Sequence, residues 1–154
     1  MSSPTDHEHA VDVKAPVRVA YNQWTQFEEF PRFMSGVEKI TQLTDDTLTW
    51  YVNIAGVERN FTTKITEQTP DQRIAWTTQS GPTHGGVVTF HKIDDDTTRV
   101  TLQMDYDPEG FLENVADKSG FVSAQLKSDL ENFKTFIEDK DAATGAWRGT
   151  IVQT

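Results

Sequence analysis

The chain has 154 residues, of which 36% are hydrophobic and 25% charged, and these proportions predict one globular domain with one core. It contains no cysteine, which excludes disulfide bonds, thiolate metal sites and cysteine nucleophiles. The net charge of −10 disfavours binding to nucleic acid or to an anionic membrane surface.

The N-terminal segment is polar and lacks the basic start and apolar stretch of a signal peptide. No apolar run approaches the roughly 20 residues that span a bilayer, so we expect a soluble, cytoplasmic protein without membrane insertion. Residues 1–6 are predicted to be a flexible arm, residues 7–140 a single domain and residues 141–154 a C-terminal tail. Alternation over His7–Lys14 predicts a first strand.

Two short helices are predicted next. Pro16 suits the start of a helix, and Val17, Ala20, Tyr21 and Trp24 then recur at the spacing of one helical face. A second helical piece, bent at Pro31, is predicted from the spacing of its aromatic residues, which are Phe27, Phe30 and Phe33.

From Val37 onward apolar and polar residues alternate, which predicts strands with one face toward a core. The clearest apolar series is Leu48, Trp50, Val52 and Ile54. Turn signals separate the later strands at Gly56, Thr69–Asp71, Ser80–Thr83 and Asp94–Thr97. Strands joined by short turns predict an antiparallel meander of about six strands.

A long helix is predicted from about Phe111 to Asp139, with a break near Gly120. Its apolar stripe is Val122, Leu126, Leu130, Phe133 and Ile137. Such a stripe has to be buried, and the sheet is the only large partner. We therefore expect an α+β fold in which a curved sheet grips the helix, leaving an internal cavity of at least about 300 Å³.

Six segments of the chain resemble the SRPBCC superfamily, the START-like group with a helix-grip fold that includes polyketide cyclase/dehydrase-type and coenzyme Q-binding-type proteins. These segments are Tyr21–Trp24, Phe27–Phe33, Ile74–Trp76, Val87–His91, Thr98–Leu102 and Asp129–Lys134. The chain is also similar to a bacterial subgroup that ends in Gly-Ala-Trp-Arg-Gly, here Gly145–Gly149. The resemblance implies a curved sheet of six or seven strands around the C-terminal helix.

The candidate cavity residues are those whose strand or helix parity faces the gap between sheet and helix. They are Trp50, Val52, Arg59, Phe61, Trp76, Phe90, Met104, Tyr106, Val122 and Leu126. Arg59 is the polar group expected to reach the cavity, where its guanidinium could hold a ligand oxygen or form an ion pair at the rim. The Tyr106 hydroxyl could orient a ligand or stay in water.

Two functions remain open at this point. One is binding or carriage of a small hydrophobic molecule that is polyketide-, quinone- or lipid-like. The other is a polyketide cyclase, aromatase or dehydratase in which Arg59 and Tyr106 act on a carbonyl of a poly-ketone. A weaker third possibility is a stress-related protein whose Trp147 tail docks on a partner.

The sequence predicts no metal site and no cofactor. His84 and His91 are isolated in the sequence, and His7 and His9 lie near the flexible N-terminal end. Asp105, Asp107 and Glu109 are expected to form a solvated strand edge. The Gly81–Gly86 stretch precedes a strand and lacks the lysine of a phosphate loop, and no Ser–His–Asp arrangement can be argued. The expected partner is a small hydrophobic molecule, and the expected assembly is a monomer or a homodimer.

Overall fold

The computed structural model describes residues 7–54, 56–78, 85–104, 118–140 and 143–152. Its elements follow the predicted order of strand, two short helices, meander and long helix. The strands are β1 (His7–Val13), β2 (Val37–Thr44), β3 (Thr47–Ile54), β4 (Val57–Thr69), β5 (Arg73–Thr78), β6 (Gly85–Asp94), β7 (Thr97–Met104) and β8 (Ile151–Val152). The helices are α1 (Val17–Trp24), a 3₁₀ helix (Phe27–Arg32) and α2 (Lys118–Lys140).

The strands form one antiparallel sheet in the order β1-β7-β6-β5-β4-β3-β2. The predicted meander and the α+β fold are confirmed. From β2 to β7, each strand pairs with the next one in the sequence. Strand β1 forms the far edge of the sheet and pairs with β7 along its whole length. The short strand β8 pairs with β4 beyond the end of β3.

One face of this sheet is buried, as the alternation of apolar residues requires. Leu48, Trp50 and Val52 of β3 are at most 4% exposed, whereas Tyr51 between them is 37% exposed. The same alternation holds on β5, where Ile74 and Trp76 are buried. Because side chains alternate between faces along a strand, this pattern sets which residues face α2.

Helix α2 covers that face, mainly against β1. Its predicted stripe is confirmed for Leu126, Leu130, Phe133 and Ile137, all at most 2% exposed. The helix begins at Lys118, and the earlier part of the predicted helix lies outside the described residues, as does the side chain of Val122. Within the described residues, no helix is long and apolar enough to cross a membrane.

An aromatic cluster joins α1, the 3₁₀ helix and α2. The Trp24 ring lies 5.1 Å from that of Phe30, 5.4 Å from that of Phe33 and 5.2 Å from that of Phe133. Such tilted and edge-to-face pairs stabilise a core beyond their buried area. The two short helices predicted from Trp24, Phe30 and Phe33 therefore form the end of the core.

The last turns of α2 are tied to β1 by charged groups. Lys134 Nζ donates to Glu138 Oε2 at 2.7 Å and to the carbonyl oxygen of Asp12 at 2.9 Å. The backbone N–H of Lys14 donates to the same Glu138 oxygen at 2.7 Å. The hydrogen bond from Lys134 makes the largest contribution to lowering the pKa of Glu138 below its ordinary value, and the bond from the Lys14 N–H lowers it further.

We expect Glu138→Gln to lower stability at neutral pH by the amount usual for surface pairs, about 0–1 kcal/mol. A lowered carboxyl pKa stabilises the fold above the ordinary glutamate pKa, and this contribution is lost as the pH falls through the folded-state value. The difference in stability between the variant and the parent should therefore become smaller at acidic pH. Thermal melts across this pH range test it, with Glu131→Gln on the exposed face of α2 as the control. A difference that stays constant or grows in acid contradicts the assignment.

The tail is fastened to the end of α1. Gln23 donates from Nε2 to Thr144 Oγ1 at 3.0 Å and accepts the Thr144 N–H at Oε1, 2.9 Å away. The N–H of Trp147 donates to Thr25 Oγ1 at 3.1 Å. The hypothesis that Trp147 docks on another protein has to account for these contacts of the tail with its own domain.

Within the Gly145–Gly149 motif, Arg148 contacts both α1 and the β4–β5 turn. Its Nη2 lies 2.9 Å from Asp71 Oδ2, its Nη1 donates to Asn22 Oδ1 at 2.6 Å, and the guanidinium carbon lies 5.5 Å from the Tyr21 ring centroid. Two residues after Gly149, Ile151 begins β8. Arg148 and β8 thus hold the tail to α1 and β4.

Candidate functional site

Six of the predicted cavity residues are buried on the inner face of the sheet or on α2. Their exposed fractions are 0% for Trp50, 4% for Val52, 8% for Phe61, 3% for Trp76, 8% for Phe90 and 0% for Leu126. Phe61 and Phe90 keep the largest exposure within this core. Strand alternation and helical spacing therefore predicted burial at these six positions, and their role in lining a cavity stays a prediction.

Three of these rings form a continuous surface, here called the aromatic wall (Trp50, Phe61 and Trp76). Trp50 and Phe61 are directly paired between β3 and β4, and their rings are nearly parallel, at 14° with centroids 5.9 Å apart. The ring of Trp76, on β5, also lies near that of Trp50, with a centroid distance of 5.8 Å. A flat apolar molecule would find rings of matching shape along this wall.

Phe90 lies farther toward α1. Its ring meets that of Tyr21 edge-on at a centroid distance of 5.4 Å. It shares the inner face with the aromatic wall but packs at the end of the core that α1 covers.

A buried hydrogen bond orients the aromatic wall. Trp50 Nε1 donates to Thr63 Oγ1 at 2.9 Å, and Thr63 is fully buried. Thr78 pairs with Thr63 across β4 and β5 and is only 7% exposed. These hydroxyls add a small amount of polarity to an apolar surface, which is the usual composition of a small-molecule site.

A glycine makes room for Trp76. Gly86 is paired with Trp76 across β5 and β6, and a Cβ at Gly86 would lie 2.5 Å from Cζ2 of the indole. Any larger residue would push the indole out of the aromatic wall. β6 begins at Gly85, so part of the glycine-rich stretch belongs to the strand.

Arg59 has the predicted parity, since it pairs with Val52 and is two residues from Phe61 on β4. Its side chain is exposed, and one of its contacts is a 2.9 Å bond from Nη1 to the carbonyl oxygen of Glu58. Arg59 therefore lies at the accessible end of the inner face, beyond the aromatic wall.

The remaining predicted cavity residues lie in less described parts of the chain. Met104 is the last residue of β7 and Val122 lies in α2, but their side chains are outside the described residues. Tyr106 is outside them altogether, as are Asp105, Asp107 and Glu109. The presence and size of an internal cavity, and the role of these residues, stay predictions.

Residues 13–135 match the family model described as "Polyketide cyclase / dehydrase and lipid transport". The chain belongs to this family. A relative from Streptomyces lincolnensis, described as an uncharacterized 17.2 kDa protein, is 54% identical over 146 residues, which are 94% of this chain and 97% of that one. The predicted superfamily is thereby confirmed.

Solved structures show the same fold at low sequence identity. The Zhui aromatase/cyclase of a Streptomyces species superposes with a TM-score of 0.70 at 16% identity, covering 92% of this chain and 98% of that one. A START superfamily protein from Mycobacterium smegmatis gives 0.66 at 16% identity, with coverage of 88% and 95%. The helix-grip, START-like architecture is therefore shared with these proteins.

One polar contact between β1 and α2 was not predicted from the sequence. His9 Nε2 lies 2.9 Å from Ser123 Oγ, which links β1 to the early turns of α2 across 114 positions of sequence. From the sequence, His9 is placed only near the flexible N-terminal end, because its partner is distant along the chain. In the described part of the chain, no three His, Asp or Glu side chains converge on a possible metal position.

Proposed function

We propose that this protein binds and carries a small hydrophobic, oxygen-bearing molecule in the space between the aromatic wall and α2, in the cytoplasm. Polyketide-, quinone- or lipid-like metabolites have this chemistry. The observation that supports it most is the aromatic wall itself, because Trp50 and Phe61 are stacked and held in place by the bond to Thr63. Preformed apolar sites with few polar groups bind ligands of this kind.

The position of Arg59 supports a second candidate, a cyclase, aromatase or dehydratase. A guanidinium at the accessible end of the inner face can meet the oxygen of a ligand that lies on the aromatic wall. In such an enzyme Arg59 would polarise a carbonyl, with Tyr106 as the predicted proton donor. Zhui, whose fold this chain shares, is named an aromatase/cyclase.

The test of binding uses native mass spectrometry of the purified protein and titration with emodin, an aromatic polyketide quinone. We expect a bound small molecule or saturable emodin binding, and Phe61→Ala should weaken emodin binding about tenfold because one stacked face is lost. Tyr51→Ala is the matched control, since it removes a ring of similar size from the opposite face of β3.

The two candidate functions are separated by Arg59→Leu. If Arg59 meets a ligand oxygen, this variant should weaken emodin binding several-fold more than binding of anthracene, a hydrocarbon of similar shape. Turnover of a poly-ketone that Arg59→Leu abolishes would favour the enzyme over the carrier. The proposed site is refuted if the purified protein carries no molecule and does not bind emodin. It is also refuted if Phe61→Ala and Tyr51→Ala weaken emodin binding equally.

A further inference from the structure

Beyond the aromatic wall, the inner face of the sheet becomes polar toward α1. Gln68 of β4 pairs with Ile74 of β5, which is two residues along that strand from Trp76. Since a strand rises about 3.3 Å per residue, Gln68 lies about 7 Å along the sheet from the aromatic wall. Gln68, Tyr21 of α1 and Asp71 of the β4–β5 turn are here called the polar end.

A β-bulge turns Gln68 toward the interior. Ile65 pairs with Trp76 but Glu67 pairs with Ala75, so one extra residue of β4 is accommodated between them. Gln68 is therefore only 1% exposed. Without the bulge, strand alternation would have placed residue 68 on the outer face, where its amide could bond to water.

Each residue of the polar end has a buried atom that lacks a hydrogen-bond partner among the described residues. These atoms are the hydroxyl oxygen of Tyr21, Nε2 of Gln68 and Oδ1 of Asp71. The Gln68 Nε2 carries two N–H groups, and the Tyr21 hydroxyl carries one proton. Even a bond from Gln68 to the phenol oxygen would leave the phenol proton without an acceptor. Because buried polar groups are nearly always paired, these atoms indicate that a further group belongs here.

The carboxylate of Asp71 is directed by its neighbour in the tail. Arg148 Nη2 lies 2.9 Å from Asp71 Oδ2, so Oδ1 is the oxygen that remains without a partner. The backbone of Asp71 is in the left-handed region, with a φ of 65°, which aspartate tolerates better than most residues. The polar end thus contains a fixed carboxylate oxygen as well as two donors.

The environment of Tyr21 shows that the three side chains are neighbours. Burial makes the largest contribution to raising the pKa of Tyr21 above its ordinary value. The Gln68 amide and the charge of Arg148 oppose this rise, whereas the charge of Asp71 adds to it. The Tyr21 phenol is therefore protonated at neutral pH and acts as a hydrogen-bond donor.

A hydroxyl group is the chemical complement of these atoms. Its oxygen accepts hydrogen bonds from Tyr21 and Gln68, and its proton is donated to Asp71 Oδ1. A carbonyl or ether oxygen would satisfy the donors but leave the carboxylate oxygen without a partner. An apolar group would leave all three atoms unpaired, which is costly in a buried site.

We propose that the polar end binds a hydroxyl group of the carried molecule, so that Tyr21, Gln68 and Asp71 determine its specificity. The ligand class is then a flat apolar molecule with a phenolic or enolic hydroxyl about one ring beyond the part that lies on the aromatic wall. This inference rests on the proposed carrier function and names the chemistry of its ligand.

Three anthraquinones that differ at one position are the probes. Emodin has a ring hydroxyl that chrysophanol lacks and that is methylated in physcion. Each is titrated into the full chain, and the dissociation constants are compared. We expect chrysophanol and physcion to bind about threefold to tenfold more weakly than emodin, because the donors and the carboxylate lose their shared partner.

Tyr21→Phe removes one hydroxyl and keeps the ring that packs against Phe90. It should reduce the preference for emodin over chrysophanol by about threefold or more and leave chrysophanol binding unchanged. Gln68→Leu should have the same effect, and if this buried variant fails to fold, Tyr21→Phe decides. Tyr51→Phe is the matched control, since it removes a hydroxyl from the outer face of β3 and should keep the preference.

Equal binding of the three compounds overturns the proposal. A preference for emodin that persists in Tyr21→Phe also overturns it, since the oxygen at the polar end would then be a buried water molecule. If Phe61→Ala weakens emodin binding while Tyr21→Phe does not change the preference, the carrier function stands and only this inference is wrong. If emodin does not bind at all, both are wrong.

Discussion

Replacing Phe133 by alanine is expected to lower the free energy of unfolding by about 3–5 kcal/mol. Phe133 is fully buried, and its ring lies 5.2 Å from those of both Trp24 and Phe33. The substitution leaves a cavity where α2, α1 and the 3₁₀ helix meet, and neighbouring rings can fill it only in part. Urea denaturation at equilibrium gives the value directly.

Thr135→Ala is the control on the same helix, because Thr135 is exposed and its hydroxyl donates to the carbonyl oxygen of Glu131 within the helix. It should change stability by less than about 0.5 kcal/mol. A similarly small loss for Phe133→Ala would mean that the stripe of α2 does not close the core.

Replacing Asp129 by alanine is expected to lower the free energy of unfolding by about 1–3 kcal/mol, because two partly buried hydrogen bonds to a charged acceptor would be lost. Asp129 is 1% exposed, and its Oδ1 accepts the Ser35 N–H at 3.3 Å and the Gln125 Nε2 at 2.9 Å. Gln125 also donates to Ser35 Oγ at 2.9 Å, so the three residues connect α2 to the segment before β2. The same denaturation experiment measures the loss.

Two variants show whether the acceptor is responsible. Asp129→Asn keeps an oxygen at the same place and should recover much of the stability that alanine loses. Asp139→Ala, on the exposed side of the same helix, should be nearly neutral. If alanine at 129 costs no more than alanine at 139, the carboxylate does not hold these elements together.

The elements with simple periodicity were predictable from the sequence. Alternation placed Trp50 and Phe61 on a buried face, and helical spacing placed Leu126 and Phe133 on one stripe of α2. These inferences succeed because each residue's direction follows from regular backbone geometry and from the free energy of burying apolar surface. Strand alternation was insufficient for Arg59. It predicted the face of the sheet on which Arg59 lies, but not that the side chain is exposed near the end of the strand.

By itself, the sequence determined the order of elements, the antiparallel meander, the buried faces and the family. Tertiary structure decided which distant residues meet, as for His9 with Ser123 and Arg148 with Asp71. It also decided the β-bulge between Ile65 and Glu67 of β4, which turns Gln68 inward, because pairing with β5 and not the local residue pattern sets the register there. The surface cavity lined by Phe27, Leu43 and Trp147 depends on tertiary structure in the same way, since its walls come from segments that only folding brings together.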